Sequence, residues 1–357
     1  MNLIEKYETW VKTLVPFKDD KVFIWLGPAG LGDKITCLPA FRHLKKMYPN
    51  RKVILYVEPL ISDLWRYCKY IDFTIPEFYI KSPDALGITK SDLAIRAWWT
   101  FYEHHQQHIC KSGIIYICNT EYKDDIPLEY EIDILAEDLP KIEGYKNEIL
   151  DLAKGKKIVS IAPAYTMFSR MWSIESWTKL VQMLKDDGNF VVSLGGINDL
   201  KVPNVDLEKC GLIPVRMVPH VLDIFDTLFT LNSGMLHLGS VNQDVRIVYI
   251  SVGQFPPELI APYRRGKLFH NMDVIDHSCP LKGECFKGHI EETKIRPMMN
   301  NFLSAYQKES GTKFPEENIE LMKKYVCWHY CAKIMDKYSC SKLITPEKVF
   351  ETYKKGN

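Results

Sequence analysis

Twice along this chain a run of short apolar segments alternates with amphipathic helical segments, and the second run restarts after a charged break at DLAKGKK. This repetition limits the fold more than any other feature, because strands alternating with helices build parallel sheets covered on both faces. The first series opens with KVFIWL (21–26) as a buried strand. Ile35, Leu38, Phe41 and Leu44 then recur at helical spacing, KVILYVE (52–58) is a second strand, and LISDLWRYC is the next helix. A weak strand follows near Ile71–Ile75, then a helix over SDLAIRAWWTFYEHHQQHI and a strand at IIYICN (114–119). The second series has strands at KIVSIAPA (157–164), FVVSLGG (190–196), GLIPVRM (211–217), TLFTLNSG (227–234) and VRIVYISVG (245–253). Its first helix spans 173–188, with Trp177, Leu180, Val181 and Leu184 on one stripe and Gly188 as its stop. The pattern predicts two α/β units, 1–152 and 153–357. Open parallel sheets bind ligands at the carboxyl ends of their strands, so the cleft between the units is where chemistry is expected.

The chain's 357 residues are enough for two ordinary domains, each with its own core. With 46 basic and 45 acidic residues, the net charge of +1 supplies no global field to recruit a polyanion, so charge suggests no nucleic-acid partner. No stretch approaches the run of about 18 apolar residues that would suggest a membrane span. The first residues lack both a basic region and an apolar core of a secretory signal, and the expected location is cytoplasmic, with peripheral contact to the inner membrane as a further expectation. Ile4, Trp10, Val11 and Leu14 suggest a short helix packing on the body rather than a membrane anchor.

Three segments carry candidate chemistry. In GPAGLGDKITCLPAF a glycine-rich turn leaves the first strand and opens a helix. Gly27, Gly30 and Gly32 allow close backbone approach, although the spacing is neither a Walker loop nor a clean GxGxxG. Asp33 in this turn reads either as a cap of the helix start or as a base facing the cleft. In IAPAYTMFSRMWSIESW, Arg170 reads as a loop residue, and Trp172 and Trp177 as core aromatics. Gly195 and Gly196 read as a tight turn or as a place where a ligand lies on backbone. In LNSGMLHLG a helix begins just after a strand. The N–H groups of Ser233, Gly234, Met235 and Leu236 would then suit a phosphate, with His237 one turn in.

Taken together these segments resemble the family 9 glycosyltransferases, the heptosyltransferase family. The matching features are Gly32-Asp33, Leu38-Pro39-Ala40 and Tyr48-Pro49 in the first segment, Arg170-Met171-Trp172 with Glu175 and Trp177 in the second, and Ser233-Gly234-x-x-His237 in the third. The resemblance covers roughly residues 20–60 and 155–255; residues 61–150 match nothing nameable and would face the acceptor. It implies a GT-B fold, with two Rossmann-like domains, the acceptor bound mainly by the first and a nucleotide-sugar donor by the second. Asp33 would be the general base, with Gly30 and Gly32 in the cleft loop. Arg170, Trp172, Gly195, Gly196, Asn232, Ser233, Gly234, Met235, Leu236 and His237 would hold the donor. Two departures stand out: Arg170 where the family commonly has Lys, and Asn232 where it usually has Asp, which removes a charge. The implied reaction is an inverting displacement with no catalytic metal, on an acceptor glycan, lipopolysaccharide core or other lipid-linked saccharide, or protein. The donor could be ADP-heptose. Alternatives are transfer to modified phage DNA bases and a non-catalytic nucleotide-binding relative. A nucleoside-diphosphate-sugar epimerase shares the architecture, but this chain lacks a clear Tyr-x-x-x-Lys in a plausible place and that reading ranks last.

Of ten cysteines, Cys37, Cys68, Cys110, Cys118 and Cys210 lie mostly in apolar segments and read as small buried hydrophobes. The other five crowd the C-terminal quarter, and in a cytosolic protein such clustering suggests metal more than disulfides. Cys279, Cys285, Cys331 and Cys340 are the proposed ligands of a structural zinc or iron, with Cys327 competing for the place of Cys331 and free thiols as the alternative. The position of this stretch, before Ile344-Thr345-Pro346-Glu347, also resembles cysteine-rich members of the family and the iron-bearing autotransporter heptosyltransferases.

Overall fold

Apolar residues alternate between two buried faces along the strands of the second series. Ile158, Phe190, Val192, Leu228, Ile247 and Tyr249 join one core, whereas Val159, Ile161, Val191, Phe229, Val248 and Ile250 join another. A strand buried on both faces must sit inside a sheet covered on both sides, which is the parallel α/β arrangement. The fold, obtained as a computed structural model, is described for residues 21–25, 30–57, 64–65, 67–76, 95–96, 107–118, 120–163, 171–252, 257–276 and 343–356.

The first half contains β1 (Lys21–Trp25), α1 (Leu31–Ile35), α2 (Leu38–Met47), β2 (Lys52–Val57), β3 (Phe73–Pro76), β4 (Ile95–Arg96), α3 (Ile109–Cys118) and α4 (Leu139–Ala153). Its four parallel strands lie in the order β3-β2-β1-β4. The second half contains β5 (Ile158–Ala162), α5 (Ile174–Asp186), β6 (Phe190–Ser193), β7 (Leu207–Glu208), α6 (Val218–Val221), β8 (Thr227–Leu231), α7 (Gly234–Val241) and β9 (Arg246–Ser251). It continues with α8 (Pro257–Ile260), the hairpin β10 (Tyr263–Arg264) and β11 (Lys267–Leu268), β12 (Met272–Asp276) and α9 (Pro346–Lys355). Six parallel strands run in the order β12-β9-β8-β5-β6-β7. Trp177, Leu180, Val181 and Leu184 of α5, with Val349 and Tyr353 of α9, cover one face of this sheet.

Register at the strand starts is pinned by a repeated device. Asp72, Asp206 and Asp226 each precede or begin a strand and accept the N–H of a residue on the neighbouring strand: Val53 at 2.8 Å, Val191 at 2.9 Å and Ile158 at 3.1 Å. Helix ends follow their sequence signals. Ser173, Ser233 and Thr345 are N-caps whose hydroxyls accept backbone N–H bonds. Gly188, just beyond α5, has φ +86°, a conformation that favours glycine.

Three sequence expectations are corrected. Of the segment IIYICN, Ile114–Cys118 belongs to helix α3 rather than a strand: Cys110, Ile114, Ile117 and Cys118 share one buried face at helical spacing, and a short β-branched apolar run does not by itself separate a buried helix from a strand. GLIPVRM is a turn followed by a 3-10 turn at Val215–Met217, and the neighbouring strand is Leu207–Glu208 instead. Ile95–Arg96, expected as helix, pairs with β1 as an edge strand. The amphipathic segment at residues 4–14 lies outside the described residues.

Candidate active site at the meeting of two helix starts

Helix α1 begins beyond the carboxyl end of β1. Gly30 is its extended N-cap, and Asp33, half-buried, turns Oδ2 back to accept the Gly30 N–H at 3.1 Å. The capping role open to Asp33 is therefore present in the fold. The Asp33 carbonyl also accepts the Thr36 hydroxyl at 2.6 Å, which ties the short helix to the start of α2. Lys34, next along, is buried in the core.

Helix α7 begins just beyond the carboxyl end of β8. Its N-cap Ser233 accepts the Met235 N–H on Oγ at 3.2 Å and the Leu236 N–H on its carbonyl at 3.1 Å. The N–H groups of Ser233 and Gly234 make neither of these bonds and stand at the mouth of the helix, where the positive end of the helix dipole favours an anion. His237, one turn in, is 4% exposed. Its Nδ1 lies 3.2 Å from the hydroxyl of Tyr130, which is itself 3.3 Å from the Cys110 sulfur. Asn232 is buried between β8 and the cap.

The two helix starts abut. A methyl group placed on Gly32 would lie 2.7 Å from Cδ2 and 3.3 Å from Nε2 of His237, and 3.5 Å from the Gly234 Cα. One placed on Gly234 would lie 3.0 Å from the Leu31 side chain. Glycine at both positions is what lets the backbones approach this closely. The contact gathers Gly30, Gly32, Asp33, Ser233, Gly234 and His237 at the carboxyl ends of two separate sheets. His108 reinforces the junction: its Nε2 lies 2.7 Å from the Ala261 carbonyl and its Nδ1 accepts the Cys110 N–H at 3.2 Å.

Burial sets the ionisation of the groups behind this contact. It raises the Tyr130 phenol well above its usual value and the Cys110 thiol to about 12, so both carry their protons at neutral pH. Burial also raises the Cys37 thiol beyond the usual range, reinforced by Cys110 and by the Asp33 carboxylate. The five described cysteines are all buried and free, as their apolar setting suggests. Burial lowers His108 to about 4, leaving it neutral.

Other candidate residues lie apart from the junction or outside the described residues. Trp172 is wholly buried, stacked edge-to-face on Trp177, and its indole N–H donates to the Ile344 carbonyl at 2.9 Å. It is part of the core under α9 rather than a cleft wall. Gly196 donates its N–H to the Asp199 carboxylate at 2.7 Å, and a side chain at Gly195 would run into the same carboxylate, so this pair forms a turn closed by Asp199. Arg170, Cys279, Cys285, Cys327, Cys331 and Cys340 lie outside the described residues. Among the described residues no group of three or more His, Cys, Asp or Glu is placed to hold a metal ion, and no helix is long and apolar enough to cross a membrane. Sequence reasoning missed Tyr130 and His108, which have no motif around them.

No family model matches the chain. The sequence is 22% identical over 300 residues to lipooligosaccharide heptosyltransferase 2 of Campylobacter jejuni subsp. jejuni serotype O:6, covering 75% of this chain and 94% of that one. The fold superposes on the glycosyl transferase family 9 structure from Veillonella parvula with a TM-score of 0.60 at 14% identity, covering 95% of this chain and 97% of the other. The chain has the GT-B fold of the family 9 glycosyltransferases. ADP-heptose lipopolysaccharide heptosyltransferase II of Escherichia coli shares that fold at a TM-score of 0.52 and 14% identity, over 71% of this chain and 90% of its own. So does an iron-containing dodecameric glycosyltransferase of enterotoxigenic E. coli, at 0.58 and 16%, over 95% of this chain and 76% of its own. That enzyme has also been solved with ADP-D-beta-D-heptose.

Proposed function

We propose that this chain is an inverting glycosyltransferase that moves a sugar from a nucleoside-diphosphate sugar to an acceptor hydroxyl, with ADP-heptose as the first donor to test. One observation carries the reading: the helix start bearing Asp33 abuts the helix start at Ser233–Gly234, so a carboxylate and an anion-binding backbone share one junction. The heptosyltransferase relatives supply the donor class.

In this reading the donor diphosphate sits at the Ser233 and Gly234 N–H groups, with His237 and Arg170 as further contacts and Gly195, Gly196 and Asn232 along the nucleotide. Asp33 takes the proton of the acceptor hydroxyl as that oxygen bonds to the anomeric carbon. The bond from that carbon to the diphosphate oxygen breaks on the opposite face, and its electron pair leaves with the nucleoside diphosphate. Charge developing on the leaving group is met by the helix start and by Arg170, whose planar guanidinium can hold two oxygens at once. Such a base needs hydrogen-bond reach more than an extreme pKa. The acceptor is a glycan, a lipopolysaccharide core or a protein hydroxyl, reached in the cytoplasm. Cys279, Cys285, Cys331 and Cys340 hold a structural zinc or iron; the iron-containing relative supports that choice.

The test is a thermal-shift screen of ADP-, UDP-, GDP- and CMP-sugars on wild type, Arg170→Ala and Ser233→Ala. A single nucleotide should raise the melting temperature by mass action, and the gain should shrink in both variants. No shift with any of the four would sink the donor reading. Elemental analysis of the purified protein decides the metal: a stoichiometric ion lost in Cys331→Ala supports it, and none at all removes it.

A further inference from the structure

Two histidines flank the Cys110–Tyr130 contact, and the proton positions on one of them follow from chemistry alone. The Cys110 backbone N–H can only donate and points at His108 Nδ1, 3.2 Å away, so that nitrogen is the acceptor. Nε2 of His108 therefore carries the hydrogen and donates to the Ala261 carbonyl at 2.7 Å. The second histidine needs one more step. Cys110 is wholly buried and holds its proton, so a thiol S–H stands 3.3 Å from the Tyr130 oxygen. Sulfur is a weak acceptor and a phenol a strong donor. The favourable order is thus S–H to phenol oxygen, and phenol O–H to the imidazole lone pair at His237 Nδ1, 3.2 Å away. The reverse order would aim the best donor of the three at the poorest acceptor.

The geometry points to Tyr130 as a positioning residue that holds His237 as the Nε2–H tautomer, so that the imidazole meets the donor diphosphate as a hydrogen-bond donor. This inference rests on the glycosyltransferase reading only for the identity of the anion. Nε2 is the ring nitrogen on the Gly32 side, 3.3 Å from where a Gly32 side chain would begin. An N–H there adds a third donor beside the Ser233 and Gly234 N–H groups, whereas a lone pair there would repel a phosphate oxygen. Tyr130 is 2% exposed, and its ring lies 5.8 Å from the His237 ring, centroid to centroid. It belongs to the segment between α3 and α4, so the first half of the chain sets the proton on a histidine of the second.

The experiment is two-bond proton–nitrogen correlation on protein labelled with nitrogen-15 at its ten histidines, recorded at about pH 8.5, above the range where an ordinary imidazole titrates. His237→Gln assigns the signal. Wild type should show Nδ1 bare and Nε2 protonated, and Tyr130→Phe a mixture of tautomers. Calorimetry with an ADP-sugar should show donor binding weakened roughly five- to tenfold in Tyr130→Phe, the worth of one hydrogen bond. A protonated Nδ1 in wild type, or a Tyr130→Phe protein with an unchanged His237 pattern, overturns the inference. If wild type binds no nucleotide sugar, the proposed function fails, while the histidine signals still decide the role of Tyr130.

Discussion

Gly32 and His237 touch across the two halves of the molecule: a Cβ on Gly32 would stand 2.7 Å from the His237 ring. The side chain it would strike is held from behind by Tyr130 and cannot swing aside without losing that bond. Gly32→Ala should therefore push α1 away from α7 and misplace Asp33 relative to the anion site. Misplacement of about an ångström costs on the order of 100-fold in rate, so kcat/KM should fall by about that factor in a transfer assay. Gly234→Ala meets the flexible end of Leu31 as well as its Cβ, and its loss should be smaller. Equal activity of Gly32→Ala and wild type would remove the junction from the mechanism.

Asp33 caps α1 and is the proposed base, and one substitution separates these roles. In Asp33→Asn the amide oxygen can still accept the Gly30 N–H, so the melting temperature should stay near that of wild type. The amide cannot take a proton, so transfer should slow on the order of 10²- to 10⁴-fold with donor affinity unchanged. Comparable rates for the two proteins would reduce Asp33 to a cap.

His108 gives the junction an acid limit. Burial lowers its pKa from 6.5 to about 4 in the folded chain. Between those values the unfolded chain takes up a proton that the folded chain refuses, so folding stability falls as pH drops from about 6.5 to about 4 and loses nothing more from this group below that. The loss amounts to about 3 kcal/mol. Melting curves across that range should show it in wild type and not in His108→Gln.

Arg264 lies wholly buried and gathers four carbonyls: His270 and Asn271 on Nη1 at 3.1 and 2.9 Å, and Asn242 and Val245 on Nη2, both at 2.7 Å. Asn242 is the C-cap of α7, so this guanidinium finishes the helix whose other end faces the anion. Burial lowers its pKa to about 10, still charged at neutral pH. Arg264→Met would take this partner from the buried Asn242 and Val245 carbonyls and should destabilise the fold by roughly 3 kcal/mol, read by denaturant unfolding. Arg264→Lys should recover only part, since an ammonium lacks the guanidinium's fork.

Much of the second sheet was legible because its strands are apolar on both faces and bounded by turns, as in Ile158–Ala162 and Thr227–Leu231. The helix starts at Ser173 and Ser233 were legible for a different reason, since a serine cap acts on N–H groups two or three residues away. Ile114–Cys118 was misread as part of a strand because its Ile-rich run suits either state, and the packing of its helix against α2 decides for the helix. The donor role read for Trp172 came from its place in a motif; its fully buried position beneath α9 depends on Ile344, far along the chain.

What the sequence determined by itself is what near neighbours enforce: the strand–helix alternation, the capped helix starts, and the glycines that permit close approach. Tertiary structure alone decided that Gly32 stands against the start of α7, that Tyr130 meets His237 across 107 residues, and that His108 reaches Ala261 across 153. Such contacts leave no local signature. A hydrogen bond between distant residues contributes only about 1 kcal/mol, too little to bring the segments together. The burial of whole helix and sheet faces does that, and the site residues meet where those faces place them.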